Sequence, residues 1–120
     1  MTPLFTVMGG GALGAGLRYL VGVALPTRAA WPWATLSVNL IGGFAMGLLA
    51  AAVLRGSASE SFRLFAGVGI LGGFTTFSAF SLESFRMIEN GAWGLLLCYV
   101  LASVIGAVGA LALGYGMIRS

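Results

Sequence analysis

Four long apolar stretches, separated by short polar turns, dominate the sequence. They span residues 4–25, 31–54, 62–86 and 92–118, and each has about the 20 residues that an α-helix needs to cross a bilayer. Because the turns are short, neighbouring helices must run antiparallel. The pattern predicts an all-α integral membrane protein in which residues 1–120 form a single domain of four transmembrane helices. No basic segment precedes the first stretch and Arg18 lies inside it, so we expect a permanent helix there rather than a cleaved signal peptide.

The composition agrees with a lipid environment and excludes several kinds of chemistry. Apolar residues make up 59% of the chain and charged residues 8%, against about 25% charged residues in an ordinary soluble domain. The chain has no His, one Cys (Cys98) and three acidic residues, so neither a zinc site nor a Ser-His-Asp triad is expected. The six basic residues are scattered singly, which is not the pattern of a nucleic-acid-binding protein. We therefore expect neither an enzyme nor a nucleic-acid partner.

The arginines also bear on the orientation of the chain in the membrane. With four spans, Arg55, Arg63 and Arg119 fall on one side, and Arg28 and Arg86 fall on the other. Orientation normally follows an excess of Lys and Arg in the cytoplasmic loops, and three residues against two is almost no excess. The chain is therefore predicted to insert both ways round, and this dual topology makes an antiparallel homodimer with a twofold axis in the membrane plane possible. A fixed orientation set by another feature is the alternative.

Glycine recurs at helical spacing along the predicted helices. Gly10, Gly14 and Gly22 share one face of the first helix, and Gly43 and Gly47 share one face of the second. Small residues at this spacing let helix backbones approach closely in lipid. The spacing is common to many membrane proteins, so it predicts packing and does not indicate a function.

The third apolar stretch is a poor continuous helix. Glycine occupies positions 67, 69, 72 and 73, and Thr75 and Thr76 follow; each glycine costs roughly 1 kcal/mol relative to alanine in a helix interior. A helix broken inside a membrane is tolerated only where protein or a water-filled cavity covers the freed backbone groups, and such breaks recur at ion sites. We predict a break near residues 72–76, at mid-membrane. The alternative is a glycine-rich helix that serves packing alone.

Aromatic and hydroxyl side chains follow the predicted break. Phe77 and Phe80 are three residues apart, as are Ser78 and Ser81, so each pair lies on one side of a helix. A phenyl ring has a positive edge, and ring edges can replace part of the hydration shell of an anion. The two pairs therefore suit a pore wall.

Polar side chains inside membrane helices usually face the bundle interior and mark a transport path. Here they are Arg18, Asn39, Thr75, Thr76, Ser78, Ser81, Glu83, Tyr99 and Ser103. Nearly all are hydrogen-bond donors, and the charge deep in a helix is the cation of Arg18, whereas Glu83 lies near a helix end. A donor-rich path with a positive charge favours an anion. Taken singly, Asn39 and Ser103 are better explained by hydrogen bonds that hold helices together.

Three segments are distinctive beyond their hydrophobicity. They are residues 16–19 (GLRY), 35–44 (TLSVNLIGGF) and 69–83 (GILGGFTTFSAFSLE). Together they resemble the bacterial Fluc (CrcB) family of fluoride channels. The likeness covers the whole chain, and the run GGFTTFS at residues 72–78 is its most specific part. One departure is Ala79, where members of that family often carry a hydroxyl residue.

The resemblance implies a fluoride-selective channel in the bacterial inner membrane, built from two antiparallel subunits with two pores. It implies that Phe77 and Phe80 turn their ring edges toward fluoride, and that Asn39 donates an amide N–H in the same pore. The further residues implied to line the polar route are Thr76, Ser78, Tyr99, Ser103 and Glu83. From the spacing above we add Ser81.

The resemblance also implies sites outside the pore itself. Arg18 is implied to lie in an aqueous vestibule. A structural Na⁺ at the dimer interface is implied to bind the backbone carbonyl groups of Gly72 and Thr75, and carbonyl groups freed by a broken helix suit such a cation.

The residues alone, without the resemblance, leave two other functions possible. A small dual-topology exporter of organic cations has a similar length, but proton coupling needs a titratable carboxylate deep in the membrane, and the first helix has Arg18 instead. The other is a subunit that packs in a larger assembly and transports nothing. This last alternative predicts that Phe77 and Phe80 only fill space.

Overall fold

A computed structural model describes residues 2–119, and the regular structure in this range is helical. Helix α1 covers Thr2–Ala24 and α2 covers Trp33–Leu54. The third stretch is composite. It consists of α3 (Glu60–Phe62), a π-helical segment (Arg63–Leu71), α4 (Gly72–Phe74) and α5 (Ser78–Glu89). Helix α6 covers Trp93–Arg119.

Four helical stretches of the described chain are long and apolar enough to cross a membrane. They are Thr2–Ala24, Trp33–Leu54, Glu60–Glu89 and Trp93–Ile118. The prediction of four membrane-spanning stretches is confirmed.

The helices pack as two close pairs. Helix α1 lies against the π-helical segment and α4, and α2 lies against α6, which also contacts α5. Glycine makes the close approach possible, because a Cβ atom at Gly14 would clash with the carbonyl oxygen of Ile70, and one at Gly47 with that of Leu111. Tyr99 and Val38 are the largest fully buried side chains, while many large apolar side chains face outward. Such a surface is expected where lipid or another subunit covers it.

A tight turn joins α1 to α2. The backbones of Arg28 and Trp31 exchange two hydrogen bonds, of 3.2 and 2.8 Å. Between them, Ala29 and Ala30 adopt the left-handed conformation, with φ of 52° and 63°, which is unusual for residues with a side chain. The turn fixes the position of Trp31, directly before Pro32 and the start of α2.

The third stretch is interrupted between α4 and α5. Thr75 is extended, with φ of −84° and ψ of 158°, although its amide and its hydroxyl both donate to the carbonyl oxygen of Leu71, at 3.0 and 2.9 Å. The chain becomes helical again at Ser78, where the amide of Ser81 donates to the carbonyl oxygen of Phe77 at 2.8 Å. Residues 75–77 therefore lie outside both helices.

Candidate functional site

A side-chain amide on α2 holds the interrupted segment. Asn39 Nδ2 donates to the carbonyl oxygen of Thr76 at 3.0 Å, and the amide of Thr76 donates to Asn39 Oδ1 at 2.8 Å. Both backbone groups of a residue outside any helix are thereby satisfied, as buried backbone groups must be. Gly42 is positioned so that an added Cβ would clash with the methyl group of Thr75. The absence of a side chain at Gly42 therefore lets α2 approach the broken segment closely.

Arg18 and Thr76 cap the two helix ends at the interruption. The last carbonyl groups of a helix have no partner within it, and here Arg18 Nε donates to the carbonyl oxygen of Gly73 at 3.1 Å. A cation is favourable at this end because the helix dipole is negative there. On the other side, the amide of Ala79 in the first turn of α5 donates to Thr76 Oγ1 at 3.1 Å. Side chains thus take over backbone hydrogen bonds that the interruption removes.

Five aromatic rings form a continuous series from the interruption to the start of α2. The ring centroids of Phe77 and Phe80 are 5.6 Å apart, and those of Phe80 and Tyr99 are 5.2 Å apart. Trp31 follows at 5.5 Å from Tyr99, and Trp33 at 6.0 Å from Trp31. Phe77 is 77% exposed, Tyr99 is fully buried and Trp33 is again exposed, so the series passes from an open surface through the packed interior to a second exposed ring.

Glu83 joins three helices through its carboxylate. The Tyr99 hydroxyl on α6 donates to Oε1 at 2.8 Å, and the Thr35 hydroxyl on α2 donates to Oε2 at 3.0 Å. A hydroxyl has a single proton to donate, and Tyr99 and Thr35 each donate theirs to Glu83. Thr35 is a site residue that the sequence prediction missed. It precedes Asn39 by four residues, which places it one turn away on the same face of α2.

Two cavities of about 400 Å³ each adjoin the interrupted segment, and Thr76 lines both. The first is mostly apolar. Its lining includes Asn39, Gly72, Thr75, Thr76, Phe77, Phe80 and Ser103. The lining of the second includes Arg18, Thr35, Thr76, Ala79 and Glu83. Most of the predicted site residues therefore border one of two adjacent spaces.

The three predicted serines differ in their placement. Ser103 is 7% exposed, and its Oγ has no hydrogen-bond partner among residues 2–119. Ser78 Oγ lies 3.3 Å from Thr76 Oγ1 at the exposed side of the interruption. Ser81 is exposed and lines neither of the two cavities. Its role in a pore stays a prediction from spacing.

The fold and the site define a multi-pass membrane protein whose third span is interrupted beside a cluster of polar and aromatic side chains. Residues 5–115 match the family described as CrcB-like protein, Camphor Resistance (CrcB). The chain belongs to the CrcB family. The family membership expected from the three distinctive segments is thus confirmed.

Relatives named fluoride-specific ion channel FluC align with nearly the whole chain. The protein from Sphingopyxis alaskensis is 54% identical, over 98% of this chain and 94% of its own length. The protein from Mesorhizobium japonicum is 47% identical, over 100% of this chain and 98% of its own length. The protein from Caulobacter sp. (strain K31) is 54% identical, over 95% of this chain and 92% of its own length. These relatives are named as channels and not as enzymes.

Proposed function

We propose that this chain is a fluoride-selective channel through which fluoride leaves the bacterial cytoplasm across the inner membrane. The observation that carries the proposal is the interrupted third span, whose Phe77 and Phe80 line one cavity together with Asn39 of α2, in a chain 54% identical to a protein named as a fluoride-specific ion channel. HF is a neutral weak acid that crosses membranes and dissociates in the more alkaline cytoplasm. The trapped anion needs only a passive path, because the membrane potential drives it outward. Its exit protects the cell from fluoride toxicity.

The first cavity supplies groups that can replace the hydration shell of a small anion. Asn39 Nδ2 has two protons, and the bond to Thr76 uses one of them. The hydroxyl group of Ser103 is buried without a partner among the described residues, and the positive edges of Phe77 and Phe80 add to the donors. Helix α5 begins at Ser78, and the backbone amides in the first turn of a helix favour an anion. The path continues through Thr76, Ser78 and Ser81 and along the Tyr99–Glu83 contact.

The second cavity suits the vestibule of such a channel. Arg18 places a positive charge at its wall, next to Thr35 and Glu83. A positive charge beside a low-dielectric wall raises the local concentration of anions. Arg18 therefore both caps α4 and attracts fluoride.

The carbonyl groups at the interruption suit a structural Na⁺. The carbonyl oxygens of Leu71, Gly73 and Thr76 accept hydrogen bonds from Thr75, Arg18 and Asn39. Within residues 2–119, no hydrogen bond reaches the carbonyl oxygens of Gly72 and Thr75, and both residues line the first cavity. Unwound carbonyl groups near the middle of the membrane coordinate Na⁺ in other transport proteins. A second subunit on a twofold axis would double this ligand set.

An antiparallel homodimer in the bilayer, with the interruption at mid-membrane, would complete both sites. Phe77 is 77% exposed beside a partly open cavity, and two carbonyl ligands from one chain are too few for Na⁺. A second copy related by an axis in the membrane plane would cover Phe77 and bring its own Gly72 and Thr75. The near balance of arginines at the two ends permits this arrangement.

Fluoride efflux from liposomes that contain the purified dimer tests the function. We expect rapid fluoride release on addition of valinomycin, measured with a fluoride electrode, and no chloride release under the same conditions. Failure of a well-folded dimer to release fluoride would refute the proposal. Proton-coupled uptake of a cationic dye by the same liposomes would then indicate the exporter instead.

Removal of Na⁺ tests the cation site separately. We expect the dimer in detergent to dissociate at a lower temperature when N-methylglucamine replaces Na⁺, because the carbonyl groups of Gly72 and Thr75 would face one another without a cation. Heating curves followed by size-exclusion chromatography measure the effect. Curves that coincide with and without Na⁺, after exhaustive dialysis, would contradict a structural cation.

A further inference from the structure

Trp31 has a buried hydrogen-bond donor without an acceptor. The indole Nε1 is buried, and no acceptor for it exists among residues 2–119. An indole N–H can only donate, and a buried donor without a partner costs about 1–3 kcal/mol. Native proteins rarely retain such a group. The acceptor is therefore expected to come from outside the described chain.

The surroundings of Trp31 connect this donor to the aromatic series. Its ring contacts that of Tyr99 at 5.5 Å with an interplanar angle of 78°, and Tyr99 contacts Phe80. Trp31 is thus the next ring beyond Tyr99 on the way from the exposed Phe77 to the start of α2. The acceptor it lacks would lie beside the proposed fluoride path.

The backbone holds Trp31 at this position at a cost in strain. Ala29 and Ala30 both have positive φ in the turn that ends at Trp31, and the backbones of Arg28 and Trp31 are hydrogen-bonded to each other. Strained backbone of this kind is found preferentially at functional sites. Arg28 also places a positive charge in the same turn, which favours an anionic acceptor over a neutral one.

We propose that the indole N–H of Trp31 donates a hydrogen bond to fluoride and forms a further anion site at the α2 end of the aromatic series. The inference rests on the proposed function, because fluoride is the occupant. Fluoride accepts hydrogen bonds strongly and is small enough to reach a single buried N–H beside aromatic ring edges. Chloride is larger than fluoride, so a site confined by the packed rings of Trp31 and Tyr99 excludes it by size.

Binding is tested in the wild-type dimer by ¹⁵N NMR of the tryptophan indole groups. The chain has three tryptophans, whose signals are assigned with single Trp→Phe variants. Titration with NaF should shift the Trp31 signal to saturation and leave Trp33 and Trp93 in place, and NaCl should shift none of them. A Trp31 signal that fluoride leaves unmoved, or that chloride moves equally, would overturn the proposal.

The contribution to conduction is tested by replacing Trp31 with β-(3-benzothienyl)alanine, which exchanges the indole N–H for sulfur and keeps the ring shape. The same exchange at Trp33, which is 47% exposed, is the matched control. Efflux should fall about tenfold for position 31, the order expected for losing one hydrogen bond to an ion, and stay unchanged for position 33. Equal efflux from both variants would overturn a role in conduction. Absence of fluoride release from the wild type would refute the proposed function instead, and the NMR titration would still decide whether Trp31 binds fluoride.

Discussion

At the scale of single residues, the amide of Asn39 holds the interrupted segment and carries the anion contact that we propose. Its oxygen and one of its protons are used by the backbone of Thr76, which holds the extended segment against α2. The second proton on Nδ2 is left for the anion that we propose in the first cavity. A residue with this double use tolerates few replacements, because the clamp and the anion donor depend on the same nitrogen.

The substitution Asn39→Asp separates charge from size. Aspartate keeps the volume and the acceptor for the Thr76 amide, but it loses both N–H groups and places negative charge beside the carbonyl oxygen of Thr76. We expect fluoride efflux from liposomes to be abolished, since the carboxylate repels the anion. Asn90→Asp, at the exposed C-terminal end of α5, is the control and should conduct normally. Normal efflux from a folded Asn39→Asp dimer would remove Asn39 from the pore.

Residue type explains which site residues could be predicted from the sequence. Asn39 and Glu83 stand out because amides and carboxylates are rare in apolar helices. Thr35 and Trp31 do not stand out, since threonine often packs between membrane helices and tryptophan is common at membrane interfaces. Their roles depend on partners distant in sequence, the Glu83 carboxylate for Thr35 and the Tyr99 ring for Trp31.

At the scale of elements, the π-helical segment determines how the third stretch meets α1. Its turns are wider than those of an α-helix, so the amide of Gly72 donates to the carbonyl oxygen of Gly67, five residues back. Glycines on both sides allow the wide backbone to fit, because a Cβ atom at Gly69 would lie 2.9 Å from the Cα atom of Gly10. The sequence indicates the glycine face and an interruption near residues 72–76. It does not indicate the π-helix, because hydrogen bonding to the fifth residue back instead of the fourth has no side-chain pattern of its own.

The close approach of α1 is tested by Gly14→Ala. The added methyl group would clash with the carbonyl oxygen of Ile70 and lie 2.8 Å from the amide nitrogen of Phe74. These are backbone atoms, which cannot rotate away. We therefore expect the variant to lose about 1–3 kcal/mol of stability or more, the cost typical of overpacking. The measurement is the temperature at which the dimer dissociates in detergent.

Gly9→Ala is the matched control for this experiment. It lies on the same helix, and no heavy atom is within 4 Å of its added Cβ, so helix propensity should make it neutral or stabilising by up to about 1 kcal/mol. Equal dissociation temperatures for the two variants would show that the α1 contact contributes little to stability.

At the scale of the whole molecule, the two ends of the bundle differ. Successive spans alternate in direction, so the turns before α2 and before α6 share one end, which carries Trp31, Trp33 and Trp93. Tryptophan is common at the membrane interface, and an antiparallel pair would place one exposed Trp33 and one exposed Trp93 at each interface. Composition predicts the membrane class of the chain. It cannot separate surfaces that face lipid from those that face a partner, because Phe5 and Phe77 are both apolar and exposed.

The balance of arginines gives the prediction that tests the antiparallel pair. Ser57 and Ala58 lie in the turn between α2 and α3, at the end that has Arg55, Arg63 and Arg119. Replacing both with arginine changes the ratio from three against two to five against two. By the positive-inside rule this end should stay in the cytoplasm, so antiparallel pairs become scarce and fluoride efflux from cells falls strongly.

Co-expression with a chain biased the other way distinguishes lost pairing from a damaged subunit. Arg55→Gln and Arg63→Gln together with Glu89→Arg and Asn90→Arg change the ratio from three against two to one against four, and this variant alone should also conduct poorly. Together, the two variants should insert in opposite orientations, pair and restore efflux, while cysteine labelling from each side of the membrane reports the orientation of each. If either variant alone conducts fully while its labelling shows a single orientation, the working unit is not antiparallel. In that case the twofold axis cannot lie in the membrane plane.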